Sequence, residues 1–391
     1  MTGHAYTRVS QKGLSLIELM IAMAIGLVLI LGVIQIFSAS RTASQLAEGA
    51  SRTQENARFA VDYLQRDIRM AGHLGCVNDQ AHFVKGEGDP VLNVGAVTSG
   101  SGHPLDFSVS IQGYEAAGTA PGGALTIGGA WTSPTGLPSA IAALGARGGS
   151  DILVLRYLAP QGVPVTSVTV SGGNSTLGVP AARWDKLVGG TIASPVMFGV
   201  ADCQHANVFI GSTSSGVVNA PGVDLSRYAP QPTGQTKVYR AESLVYYVAN
   251  GASGEPSLWR ARADASGAYP AALREELVEG IESLQLLFGL DSTAAISATT
   301  PPAGNITVQN VASAVSSASG TAAAAQWRRV GLVQVGVLAR SPGAAAAAGP
   351  ATSSARQRVL GVEFVPPAAN DGRYRSGYEF TVALRNRLFG N

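Results

Sequence analysis

From Leu14 to Phe37 the chain reads LSLIELMIAMAIGLVLILGVIQIF, apolar except at Ser15, Glu18 and Gln35. As a helix this run extends about 36 Å at 1.5 Å per residue, enough to cross the hydrocarbon core of a bilayer. The pattern then changes, but the helix does not stop. Leu46, Ala50, Thr53, Ala57, Val61, Leu64, Ile68 and Ala71 recur at steps of three and four and form one apolar stripe. Glu48, Arg52, Glu55, Arg58, Asp62, Arg66 and Arg69 take the opposite, solvated face. There Glu48–Arg52, Arg58–Asp62 and Asp62–Arg66 are spaced four apart and support the helix. Phe59, Tyr63 and Met70 sit near the charged face and away from the stripe, facing either a second molecule or a loop of the same chain. The pattern predicts one helix from Leu14 to Ala71, about 87 Å long, stopped by Gly72 and Gly75.

Beyond Cys76 the period shortens. Asp151–Leu158 (DILVLRYL) reads as a buried strand, and Glu242–Ala249, Asn250-Gly251 and Leu258–Ala263 as a hairpin with a longer loop. Leu277, Val278, Ile281 and Leu284 keep helical spacing, after which Leu284, Leu286, Phe288 and Leu290 alternate as a strand. Val330–Leu338 and Tyr378–Leu384 complete the set. Gly95–Ser150, Thr293–Gln326 and Ser341–Ala355 are rich in Gly, Ala, Ser, Thr and Pro and read as long surface loops. The fold class expected is α+β, a long N-terminal helix packed on a mainly antiparallel sheet.

Composition sharpens this picture. The 391 residues include 48 glycines and 20 prolines, consistent with abundant turns. Only 13% are charged, about half the share usual for a soluble protein. The net charge of +2 lacks the basic excess of a nucleic-acid surface, so no nucleic-acid partner is expected. No Walker A loop, strand-associated GxGxxG, HExxH or GxSxG elbow occurs, and no cofactor or enzymatic activity is expected.

The leader Met1–Gly13 carries Arg8 and Lys12 and no acid. It should therefore stay cytoplasmic and send everything after Phe37 across the membrane. A cleavable secretory signal fits poorly, because the apolar run is too long and no small-x-small site follows it. Glu18 stands out, since a carboxylate within an apolar span costs roughly 2.5–3.5 kcal/mol on insertion scales. It is either a snorkelling residue at the membrane edge or the partner of an amine.

Lys12-Gly13 followed by Leu14-Ser15-Leu16-Ile17-Glu18 resembles the class III signal of type IV pilins. The resemblance implies that a prepilin peptidase/methyltransferase cuts between Gly13 and Leu14 and methylates the new amino terminus at Leu14. Glu18 would then be the assembly carboxylate that pairs with a neighbour's amino terminus. Many major pilins carry a proline inside this helix, whereas here none precedes Pro90. The stretches SRTQENARFAVDYLQRDIRMAGHLGC, LVEGIESLQLLFGLD, WRRVGLVQVGVLARS and TVALRNRL are similar to the PilW-type minor pilins.

That likeness divides the chain into a leader (1–13), a membrane and filament-core helix (14–37), an amphipathic stem (38–72) and a β-rich periplasmic head (73–391). It implies a non-enzymatic subunit that primes type IV pilus assembly in the bacterial inner membrane and ends at or near the pilus tip on the cell surface. Cell adhesion and twitching motility are the associated functions. Its partners would be other minor pilins, the major pilin and a PilY-type tip adhesin. Ala22 and Gly26 form a small-xxx-small pair that lets such helices approach closely. A pseudopilin of a type II secretion system and a single-pass membrane-anchored binding protein are the alternatives.

His73, Cys76, Cys203 and His205 offer two cysteines and two histidines, the ligand set of a tetrahedral zinc site. The topology places them outside the cytoplasm, where an oxidising compartment favours a Cys76–Cys203 disulfide and no metal.

Overall fold

The computed structural model describes residues 13, 15–76, 90–126, 132, 136–188, 194–214, 216–296, 300, 302–316, 318–344, 356–365 and 371–387. Helix α1 runs unbroken over Leu16–Met70. The helix ends just before Gly72 and Gly75, which both adopt φ of 77°, a conformation that glycine reaches without steric cost. The leader residues 1–12 and Leu14 lie outside the described residues.

The first half of α1 meets nothing: its large apolar side chains from Leu16 to Phe37 are exposed. The second half packs through Gly49, Thr53, Ala57, Ala60, Leu64, Asp67 and Ile68. This face is rotated from the stripe that spacing alone predicts. Ala60 and Asp67 belong to it, Val61 sits at its flank and Leu46 stays exposed. The contact begins only at Gly49, and Gly49, Ala57 and Ala60 are small enough to let the helix backbone settle on the strands beneath.

The strands of the two principal sheets, numbered in chain order, are β1 (Val91–Asn93), β2 (Ile111–Tyr114), β3 (Ile152–Leu158), β4 (Val163–Pro164), β5 (Met197–Ala201), β6 (Ala206–Ile210) and β7 (Lys237–Asn250). They continue with β8 (Pro256–Arg262), β9 (Arg274–Glu279), β10 (Ile281–Asp291), β11 (Ile306–Asn310), β12 (Val330–Arg340) and β13 (Arg375–Ala383). The larger sheet has nine strands in the order β1-β6-β5-β7-β8-β9, with β3 and β4 also on β7 and β2 on the far side of β3. Only the β1–β6 pair in it is parallel. The second sheet, β11-β10-β12-β13, is fully antiparallel. Two small sheets flank these, one from Ser167–Ser171, Asn174–Gly178, Ser212–Ser214 and Val217–Ala220, the other from Ala124–Thr126, Gln357–Val359 and Val362–Val365.

β7 organises the larger sheet. Its first residues, Lys237–Arg240, pair with β5, and Leu244–Asn250 pair with β8 in the hairpin that the sequence predicts. Ala241–Tyr246 pair with β3. Successive side chains of a strand point to opposite faces, and both faces here are apolar. Leu244, Tyr246 and Val248 join Leu153, Leu155 and Tyr157 in a core shared with α1 and with β10, β12 and β13. Val245 and Tyr247 join Ile152, Val154 and Leu158 in a second core on the other face. This double burial is why DILVLRYL and SLVYYVA read as continuous apolar runs. Helix α1 touches β13, β12, β9, β3 and β10, so the stem rests mainly on the four-stranded sheet.

Three expectations are corrected. Gly95–Ser150 is not a surface loop: Leu105, Phe107, Val109, Ile111, Ile141 and Leu144 are buried in it. The fully buried guanidinium of Arg156 holds it down by donating to the carbonyls of His103 (2.9 Å), Pro104 (2.8 Å) and Val109 (2.7 Å). Second, the helical spacing of Leu277, Val278, Ile281 and Leu284 belongs to two strands, β9 and β10, joined at Gly280 with φ of 83°. Thr293–Gln326 likewise holds β11 and short helices at Ala312–Val315 and Thr321–Trp327. Of Ser341–Ala355, residues 345–355 lie outside the described residues.

Candidate functional site

The residues singled out by sequence fall into two places, the free end of α1 and the joint where α1 enters the β-rich part. At the free end Ser15 is the N-cap. Its side chain accepts from the Ile17 N–H at 3.3 Å, and the Glu18 carboxylate accepts from the Ser15 N–H at 3.3 Å, a reciprocal capping box. Glu18 is thus bound to its own chain and also exposed. A carboxylate in the first turn is favoured by the helix dipole. Gly13 is exposed and lies two residues before Ser15, the start of this box. A Cβ added at Gly26 would meet nothing, so the small face formed with Ala22 is open to another helix.

The joint is built from charged and polar groups, most of which periodicity does not reveal. Asp67 is 4% exposed on the packed face of α1. Its carboxylate accepts from the Tyr246 hydroxyl at 2.5 Å and from Arg260 at 3.1 Å. Arg260 also bonds Glu275 at 2.8 Å. Burial, and then the Asp67 charge, push the Tyr246 phenol well above its ordinary pKa, so it stays a donor. Tyr63 lies between the guanidinium groups of Arg66 (5.5 Å) and Arg260 (5.9 Å). Tyr63 and Met70 therefore pack on their own chain. Phe59 alone of the three aromatic or sulfur candidates stays half exposed. Of the expected four-apart pairs Glu48–Arg52 closes at 2.8 Å, whereas Arg66 turns to Asp67 at 3.2 Å.

Further contacts lock the end of the stem. The Asn56 amide donates to the Glu279 carbonyl at 3.0 Å. The Asn386 amide donates to the carbonyls of Arg69 (3.1 Å) and Ala71 (3.4 Å), satisfying two of the acceptors a helix terminus leaves open. The Gly72 N–H bonds Arg156 O and the Leu158 N–H bonds His73 O, so the chain leaving the helix runs along β3. Cys76 then forms a disulfide with Cys203, with Cα atoms 4.8 Å apart. Cys203 sits in the turn between β5 and β6. His73 Nδ1 contacts the Leu158 carbonyl at 2.7 Å and His205 lies 3.6 Å from Asp202, so each histidine has a partner other than sulfur.

A second ionic cluster ties the sheets to each other. Glu282, fully buried at the start of β10, accepts from Arg340 (2.8 Å) and Arg375 (2.7 Å) on β12 and β13. Arg375 also bonds Asp371, whose carboxyl it holds below the usual range. Asp67 carried a sequence signal, an acid three residues after Leu64 on the packed face; Tyr246, Arg260 and Glu282 carried none.

The comparisons with known proteins bear on both places. Residues 245–386 match the family model for type IV pilus-assembly protein W. Residues 8–34 match the prokaryotic N-terminal methylation motif. No curated protein matches the chain. Among solved structures it is similar to a type IV-like pilin from Thermus thermophilus, at 17% identity over 50% of this chain and 85% of that one, with a TM-score of 0.20. Neither matching model describes an enzyme. The first match spans β8 to β13 and includes Tyr246, Arg260, Glu275 and Asn386, partners of the stem in the joint; the second covers the capping box and most of the exposed half of α1.

Proposed function

We propose that this chain is a minor pilin that helps initiate a type IV pilus and enters it at or near the tip. The observation that carries the reading is the exposed apolar half of α1. Its N-terminus is a capping box that follows Lys12-Gly13, and its stem is anchored rigidly to the β-rich part. A prepilin peptidase/methyltransferase cuts between Gly13 and Leu14 and methylates Leu14. Residues 14–37 hold the subunit in the inner membrane, with the periplasmic head beginning after the stem near residue 73. On assembly the same surface is reburied against the helices of other pilins, so apolar area leaves lipid without being exposed to water.

Glu18 sets the register. In the free subunit it accepts a bond from an uncharged N–H at 3.3 Å. A neighbour's amino terminus offers a charge-assisted bond of roughly twice the strength. Other minor pilins, the major pilin and a PilY-type tip adhesin are the partners in this reading, and adhesion and twitching are its outputs.

The test has two parts. Intact mass and terminal sequencing of the chain recovered from membranes should find N-methyl-Leu14 at the start. Glu18→Gln should insert and fold as the parent does but enter sheared pili at least tenfold less. A chain that keeps its leader in cells with active prepilin peptidase rejects the pilin reading. Deletion that spares pili and abolishes type II secretion assigns the chain to that machine.

A further inference from the structure

A cleft of about 390 Å³ opens at the free edge of β2, walled by Gly100–Ser101, Gly136–Pro138 and the short helix Ala312–Val315. Its volume falls within the range of small-molecule sites, about 300–1,000 Å³. Gln112 and Tyr114 are two apart on β2 and share a face. Each is 7% exposed. The Gln112 Oε1 and the Tyr114 hydroxyl have no hydrogen-bond partner among the described residues. Leaving a buried polar group unpaired is unfavourable, and a ligand supplying the missing bonds removes that cost.

Next to them Glu115, also 7% exposed, accepts from the Ser313 hydroxyl and from the Ser313 N–H at 3.4 Å. The floor is fixed. The Trp327 ring stands edge-on to Phe288 with centroids 5.0 Å apart, and a Cβ at Gly113 would run into the Phe288 ring. Burial pushes the Tyr114 phenol upward in pKa, so it remains a neutral hydroxyl able to donate and accept.

We infer that this cleft binds a small neutral saccharide, of about disaccharide size, through Gln112, Tyr114 and Glu115. The unmet groups are an amide oxygen and a phenol, and the Glu115 carboxylate beside them is a further acceptor, so the ligand must be rich in donors. No Lys, Arg or His lines the cleft among the described residues, and the Glu115 charge repels phosphates and carboxylates. Sugar hydroxyls, each donor and acceptor at once, fit that demand. The inference is independent of how the subunit assembles.

The test uses the full chain in lipid nanodiscs and saturation-transfer NMR with maltose, lactose, cellobiose and N,N′-diacetylchitobiose. At least one should show transfer with millimolar or tighter affinity. Gln112→Leu and Glu115→Gln should each weaken it at least tenfold at a parental melting temperature. Should either variant melt low, Tyr114→Phe, which keeps the ring in place, decides by the same measure. Absence of transfer from all four sugars to the parent overturns the inference. So does unchanged affinity in the variants, or binding of spermidine in place of the sugars.

Discussion

The Tyr246 hydroxyl on β7 donates to the Asp67 carboxylate on α1 across 2.5 Å, joining residues 179 positions apart in sequence. This bond and the Arg260 contact make the helix an integral part of the core. Removing one partner of a buried ionic set strands the other, which typically costs about 3–5 kcal/mol. Asp67→Ala should therefore lower the stability of the full chain by that amount. Tyr246→Phe should cost less, about 1–3 kcal/mol, because Arg260 still meets Asp67. Thermal melts of the singles and the double should show less than additive loss.

The Cys76–Cys203 bridge closes a loop of 127 residues. Cross-linking so long a loop removes much of the unfolded chain's freedom, worth about 4–5 kcal/mol in the chain-entropy account. Cys203→Ser, or reduction of the parent, should lower the melting temperature correspondingly while α1 stays helical by circular dichroism. A melt unchanged by reductant would show that the bridge is dispensable.

Asp151 gives the fold a dependence on pH. Its buried carboxylate accepts from the Ala116 N–H, the Thr119 hydroxyl and the Leu286 N–H, linking β3 to β10. Burial outweighs these donors and pushes its pKa from 3.8 up to about 7. Between about pH 4 and 7 the folded chain thus holds a proton that the unfolded chain has lost. Stability must fall as pH rises through this window, by about 1 kcal/mol per unit. Asp151→Asn removes this slope, so the variant's melting temperature should stay level relative to the parent's fall as pH rises from about 4 to 7; parallel pH profiles would reject the assignment.

Phe59 tests the outer face of the stem. It is half exposed, so Phe59→Ala should change stability by less than about 0.5 kcal/mol. If the stem packs against a neighbouring pilin there, the same variant will enter pili poorly. Equal incorporation of parent and variant would leave Phe59 without a partner.

The long helix was legible from its apolar run and stripe, the hairpin from Asn250-Gly251 between two apolar runs, and the doubly buried strands from their unbroken apolar runs. The helix expected at Leu277–Leu284 fails for a definable reason. Gly280 turns the chain, and the register between β10 and β12 shifts between Ile281 and Ser283, a β-bulge that reverses side-chain parity. Ile281 and Leu284 consequently share a core at a spacing of three, which imitates a helix. Gly95–Ser150 misleads differently: its burial depends on Arg156, an ordinary basic residue in sequence whose three bonds to distant carbonyls exist only in the folded chain. At the candidate site, Gly13, Glu18 and the cysteines stood out by residue type and spacing. Tyr246, Arg260 and Glu282 did not, because their partners lie tens to hundreds of residues away.

The path of the chain at the end of the stem also determines how the molecule bears load. Tension drawn along α1 reaches Ala71 and leaves the helix through Gly72–Cys76, which are bonded to β3. At Cys76 the force divides. One branch follows the polypeptide onward, and the other crosses the sulfur bridge into the turn between β5 and β6, beside β7. The covalent branch delivers the pull to the middle of the nine-stranded sheet, so strands there must shear together and cannot be peeled singly from an edge. Oxidation of one cysteine pair thereby adds a covalent tether to a helix otherwise held by its buried face and the Asp67 contacts.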